Sequence, residues 1–188
     1  MNAPYSRVSG SLLFLGGSQF IIFMVVAEAL HPGYSVSGNF ISDLGVGPAA
    51  PIFNTSIIVL GLTVIVSSYL IFKAFKSTLV TILLALSGLG AVGVGVFPET
   101  AGLIHSIMAT VAFFFGSLSA IIAYRIEGTP MKYLSVMMGI ASLVALIFFG
   151  LGLYFGLGQG GMERMVAYPA LVWLTAFGGY LTSSDRTT

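Results

Sequence analysis

Cysteine is absent from the chain, which excludes a disulfide framework, a thiolate metal site and a cysteine nucleophile. Charge is nearly as scarce. Lys, Arg, Asp and Glu make up 7% of the 188 residues, against roughly 25% in a soluble domain, too few to coat a water-soluble globule of this size. The formal net charge of +1 lacks the basic footprint of a nucleic-acid binder. Histidine occurs twice, at His31 and His105. What is present is hydrocarbon: 57% of residues are apolar and the mean hydropathy is +1.04, so the solvent for most side chains is lipid.

Six apolar runs can be cut from the sequence, at 11–30, 53–72, 78–97, 102–124, 131–155 and 165–181. Each is close to or above the ~17–25 residues that a membrane-crossing helix needs, and none alternates as a barrel strand does. The expected fold is all-α: one transmembrane domain over 1–188, a six-helix bundle of a multi-pass cell-membrane protein. Ala27-Glu28-Ala29 imitates a signal-peptidase site, but the preceding core is too long and Glu28 interrupts the motif, so this run reads as the first membrane helix.

Orientation follows from Lys and Arg near the helix ends. With the N-terminus inside, Arg7, Lys73, Lys76, Arg125, Lys132 and Arg186 fall on the cytoplasmic side and only Arg164 falls outside. Both termini are then cytoplasmic. The same arrangement brings Glu28, His31, Asp43, Glu99, His105 and Glu163 to the outer face, leaving only Glu127 and Asp185 as inner acids.

The outer-face residues group into motifs. Glu28-Ala-Leu-His31 puts a carboxylate and an imidazole on one helical face, a spacing that supplies two metal ligands in carboxylate bundles; Pro32-Gly33 then stops the helix. The simpler reading has Glu28 reaching outward and His31 capping carbonyls. Asn39-Phe-Ile-Ser-Asp-Leu-Gly-Val-Gly-Pro48 combines local hydrogen-bonding side chains with turn-forming glycines. Its apolar Phe40 and Ile41 imply a re-entrant-like loop folded back on the bundle, with Ser42 and Asp43 tucked between helix ends. In Phe97-Pro98-Glu99, the proline ends the third helix and Glu99 or Thr100 is placed to cap the fourth. His105 lies about one turn further on and requires a partner, either an outer-face carboxylate or His31. Gly156-Leu-Gly-Gln-Gly-Gly161 matches a dinucleotide fingerprint in letters only, since no strand precedes it; a flexible turn leading to Glu163-Arg164 is expected. Small residues at Ser87, Ala91 and Gly95, and at Gly152 and Gly156, repeat every four positions, as at close intramolecular helix contacts or, less often, a homo-oligomer or membrane-complex surface.

Three uses of the outer-face groups stand open. His31, His105 and Asp43, with Glu28, are candidate ligands for a divalent metal such as zinc. His31, Ser42, Asp43, Glu99 and His105 are candidates for metal-free acid–base or nucleophilic catalysis, although Ser42 and Ser106 lack a G-x-S-x-G elbow. The third use is a polar network that only fixes the bundle. The sharpest expectation is that His31, Asp43 and His105 converge in one site, assisted by Glu28 or Glu99.

"HPGYSVSGNFISDLG", the following Pro48 and Asn54, and "FPETAGLIHS" together resemble the prokaryotic membrane proteins grouped as domain-of-unknown-function family 998. The Ile41–Pro48 core is also similar to eukaryotic autophagy-modulator and GPI-anchor-remodelling membrane proteins. The resemblance implies a polytopic membrane protein in which His31, Ser42, Asp43, Asn54, Glu99 and His105 are motif positions. Through the eukaryotic relatives it implies lipid handling, as an intramembrane hydrolase or remodelling enzyme, with membrane lipids as partners. The alternatives are a non-catalytic binder or transporter of lipid or small molecules, and a structural subunit of a membrane complex. The third-histidine pattern of alkaline ceramidases is absent.

Overall fold

The computed structural model describes residues 2–183. Six long helices dominate: α1 (Ala3–Leu30), α2 (Ala50–Phe75), α3 (Thr78–Val96), α4 (Leu103–Ile122), α5 (Met131–Gly150) and α6 (Gly158–Ser183). All six are long and apolar enough to cross a membrane, where only helices can satisfy their own backbone groups without a closed barrel. The protein is therefore a multi-pass membrane protein. The connections 31–49, 97–102 and 151–157 gather at one end of the bundle, the loop end, and the connections 76–77 and 123–130 lie at the other. Arg186 and Asp185, which entered the charge assignment, lie outside the described residues.

Each helix packs chiefly on its neighbours in the chain, and α1 closes the ring against α6. Small residues make the contacts. A methyl group on Gly10 would sit 2.5 Å from the carbonyl oxygen of Gly178, so the α1 and α6 backbones touch directly. Side-chain hydrogen bonds add to packing where no hydrophobic drive between helices exists. The Ser6 hydroxyl donates to the Leu181 carbonyl (3.1 Å), the Gln19 amide to Ser56 (2.9 Å) and the Ser87 hydroxyl to Ala112 (2.9 Å).

Boundaries differ from the sequence reading in three informative places. Helix α1 begins at Ala3 rather than 11, because Ser6, Ser9 and Gly10 are buried; small polar residues lower the hydropathy of a segment that packs well. Helix α5 stops at Gly150, not 155, so Gly152 and Gly156 lie in a turn with φ of +70° and +81° and are not helix-contact positions. Gly95 does face α2, against Asn54 and Ile58. Helix α6 begins at Gly158, seven residues before 165, which moves Glu163 and Arg164 from an expected turn onto a buried helix face.

A candidate site at the loop end of the bundle

The 31–49 loop folds over the end of the ring. Ile41 is buried and Phe40 is half-buried, edge-on to Phe149 of α5. The loop is fastened from below by α6. Arg164 donates through Nη1 to the carbonyls of Val36 (3.0 Å), Asn39 (3.4 Å) and Gly160 (2.9 Å), and through Nη2 to the Glu28 carboxylate and the Tyr34 hydroxyl, both at 2.6 Å. Tyr34 passes its own proton to the Phe40 carbonyl (2.8 Å), and burial pushes its phenol up to about 12 against the pull of Arg164. Gln159 donates to Gly38 (2.6 Å), and the Gly160 amide to Ser37 (3.0 Å). At Gly160 the loop carbonyls of Asn39 and Val36 come so close that no side chain fits. Of the glycines that make "GLGQGG" look like a turn, Gly158 and Gly160 are the two pressed against the loop.

Beside this clamp, the Ser42–Gly45 turn presents its polar groups. The Asp43 carboxylate accepts from Asn39 Nδ2 (2.9 Å) and from the Phe40 amide (3.0 Å). Glu99, in the short turn Glu99–Ala101, lies beside Asp43 and Ser42, close enough to act on the Asp43 carboxyl. Glu99 thus caps nothing: the cap position of α4 is Gly102 and carries no side-chain bond. Burial, the Asp43 bond and the Asp43 charge push the Glu99 carboxyl up to about 7. Burial also acts on Asp43, but the bonds from Glu99, Asn39 and Phe40 outweigh it and hold that carboxyl below the ordinary Asp range. Asn54, at the start of α2, donates to the Gly45 carbonyl (3.1 Å) and fixes the far side of the turn.

The two histidines stand on different surfaces. His31 caps α1, half-exposed, and lines an open depression with Asn39, Asp43, Glu99 and Thr100. His105 is 7% exposed and lines an internal cavity with Ser42 and Glu163. Its partner is neither a carboxylate nor His31 but the backbone: Nδ1 lies 2.8 Å from the Phe97 carbonyl. A carbonyl only accepts, so Nδ1 is the donor, and in the neutral imidazole Nε2 is then the acceptor. The Glu163 carboxylate, 7% exposed, accepts the Ile41 amide through Oε2. Glu28 is taken by Arg164, and Ser106 is exposed, its hydroxyl turned back toward Gly102. Among the described residues, no group of three or more His, Asp or Glu side chains is arranged to hold a metal. Ser42 lines the cavity, while its neighbour Asp43 lines the depression with Glu99.

That cavity, of about 100 Å³, runs down the middle of the ring. Its volume is several times what one water needs. Below Ser42, His105 and Glu163 its walls are almost wholly apolar: Ile57 and Leu60 of α2, Ala91 of α3, Phe113 of α4 and Leu171 of α6 are among them. The lining runs from His105 to Gly116 on α4 and from Glu163 to Leu174 on α6, a depth of ~16 Å at 1.5 Å per residue. Half of a ~30 Å hydrocarbon core is about the same.

A family profile described as protein of unknown function (DUF998) matches residues 14–180. The chain belongs to the DUF998 family. No curated protein and no solved structure matches it. The DUF998 match embraces all six helices and every loop-end residue named above. Sequence reasoning missed the role of Arg164, counted only as the one outer cation, and that of Tyr34; an arginine on the acidic side of an otherwise sorted charge pattern was the available signal.

Proposed function

We propose that the protein handles lipid by taking a single acyl or alkyl chain into the cavity of the ring, with the chain's polar end held at Ser42, His105 and Glu163. The observation that carries this reading is the shape and chemistry of the cavity: almost wholly apolar for the depth of one leaflet, where the Ser87 hydroxyl is already given to the Ala112 carbonyl, with its other polar groups gathered at the loop end. Ligand sites of this kind are concave, mainly hydrophobic and marked by a few convergent polar groups. A purely structural core would be filled to close packing along its whole length.

Photolabelling tests it. The full-length protein in nanodiscs is irradiated with a hexadecyl chain carrying a diazirine near its methyl end. Labels are expected on α4 and α6 within residues 105–116 and 163–174, and Ala170→Trp or Ala112→Trp, which fill the cavity, should remove them. Labelling confined to lipid-facing positions such as Ile22 and Val59, unchanged by either tryptophan, would overturn the reading.

Hydrolysis at the same place is the second reading, and one contact favours it. Ser42 lies beside Glu99, a carboxyl pushed up to about 7, near neutrality, where a general base works best. Ser42 would then be the nucleophile, Glu99 the base and Asp43 the group that positions Glu99, with His105 Nε2 at the cavity mouth. Ester turnover by purified protein, abolished by Ser42→Ala but with chain labelling retained, is the expected result; turnover that survives Ser42→Ala excludes it.

A further inference from the structure

We infer that the ligand's polar end is a hydrogen-bond donor, uncharged or cationic, and that the site rejects anionic heads such as carboxylates and phosphates. The inference rests on the chain-binding reading above and adds the class of amphiphile.

Apart from the Ser42 hydroxyl, which can give or accept a proton in a hydrogen bond, the groups around the cavity mouth are acceptors or acids. Glu163 uses Oε2 for the Ile41 amide, and its side chain borders the cavity, where Oε1 makes no hydrogen bond among the described residues. His105 is more than nine-tenths buried, its Nδ1 is spent on the Phe97 carbonyl, and Nε2 is left as an acceptor on a ring that lines the cavity. Directly above, Asp43 and Glu99 bring two more carboxyl groups to the adjoining depression. No Lys or Arg lines either space. Arg164, the nearest cation along α6, is turned away into Glu28, Tyr34 and three backbone carbonyls. An anionic head entering here would meet like charge with no counter-ion in a poorly solvated place, which costs several kcal/mol. A hydroxyl or ammonium would instead supply the protons that Glu163 and His105 Nε2 lack.

A head-group series decides the matter. Hexadecanol, hexadecylamine, palmitate and hexadecyl phosphate compete separately against the hexadecyl photoprobe for wild-type protein in nanodiscs of zwitterionic lipid at neutral pH. The alcohol and the amine are expected to displace the probe, and the two anions to be weaker by at least about tenfold. Glu163→Gln, which keeps an acceptor for the Ile41 amide, should erase most of the advantage of amine over alcohol. Equal competition by all four chains would overturn the head-group inference and leave chain binding standing. Tighter binding of palmitate or the phosphate would overturn it outright. Failure of every chain to compete, together with labelling that ignores Ala170→Trp, would remove both readings. The wild-type series alone is decisive, so the test does not depend on the variant folding.

Discussion

The Arg164 guanidinium of α6 meets the Glu28 carboxylate of α1 at 2.6 Å, with 5% and 18% of the two side chains exposed. Around this pair the sequence's last helix is tied to its first, and both to the loop that covers the ring. Removing one partner strands the other's charge. Arg164→Met is expected to destabilise the protein by about 3–5 kcal/mol, since the carbonyls of Val36 and Asn39 are released as well. Glu28→Gln should cost less, because Tyr34 and the carbonyls still hold the guanidinium. Unfolding in mixed micelles, combined in a double-mutant cycle, measures both; additive effects would mean that the pair carries no coupling.

Gly160→Ala is expected to lift the 31–49 loop off α6, since the added methyl has to displace the Asn39 carbonyl. Amide exchange and proteolysis should speed up within 34–46, while α2 to α5 stay protected. Unchanged exchange in the loop would mean that the backbone contact is unimportant.

The Asp43–Glu99 pair sets an expected pH dependence. Glu99 is raised from 4.5 to about 7, so the folded protein holds that proton more tightly than the unfolded chain does. Its stabilising contribution is full below about pH 4.5 and is lost as pH rises through about 7. Asp43 is lowered from 3.8, and its contribution is present above that value and lost in acid. Stability should therefore be greatest between the two limbs. Glu127, pushed up to about 7 by burial, adds to the same fall. Glu99→Gln and Glu127→Gln should each lessen the fall between about pH 4.5 and pH 7, and the double variant most. Thermal unfolding from about pH 4 to pH 9 gives the comparison; an undiminished fall between about pH 4.5 and pH 7 in the double variant would contradict the assignment.

At the opposite end, Ser135 donates to Glu127 (2.8 Å) and accepts from Trp173 Nε1 (2.9 Å). Ser135→Ala leaves a buried donor and a buried acceptor without partners and should cost about 1–3 kcal/mol. Ser135→Thr, which keeps the hydroxyl, should cost less; equal losses would point to packing alone.

Sidedness can be read directly. Cysteines introduced at Ser37 and at Tyr124 should react with an impermeant maleimide from opposite sides of the membrane, with Ser37 outside. The basic residues of the 73–76 and 125–132 segments make that the expected orientation. Labelling from one side would end it.

How far the sequence could be read depended on the kind of signal. Run length suffices for six helices, because lipid leaves the backbone few alternatives. The burial of Ile41 and the turn at Ser42-Asp43 were legible from the apolar residues beside an Asx-rich stretch. The start of α6 was not, because glycine lowers helix propensity and the sequence does not reveal that a loop carbonyl will press on Gly160. His105 was expected to seek another side chain, yet the Phe97 carbonyl, freed where α3 ends, reached it first. The cavity had no signature at all: Ala91, Ala112 and Ala170 are ordinary membrane-helix residues until the ring is assembled around them.

The direct contact of Gly10 with Gly178 has a bearing on biogenesis. The helix that leaves the ribosome first has as its partner the one that leaves last, so Glu28 enters the bilayer edge long before Arg164 exists. During synthesis the first five helices form an open arc, and insertion of α6 completes the circle. On the chain-binding reading, a lipid can enter the site before the ring closes, and the finished ring must still open for an added amphiphile to replace it.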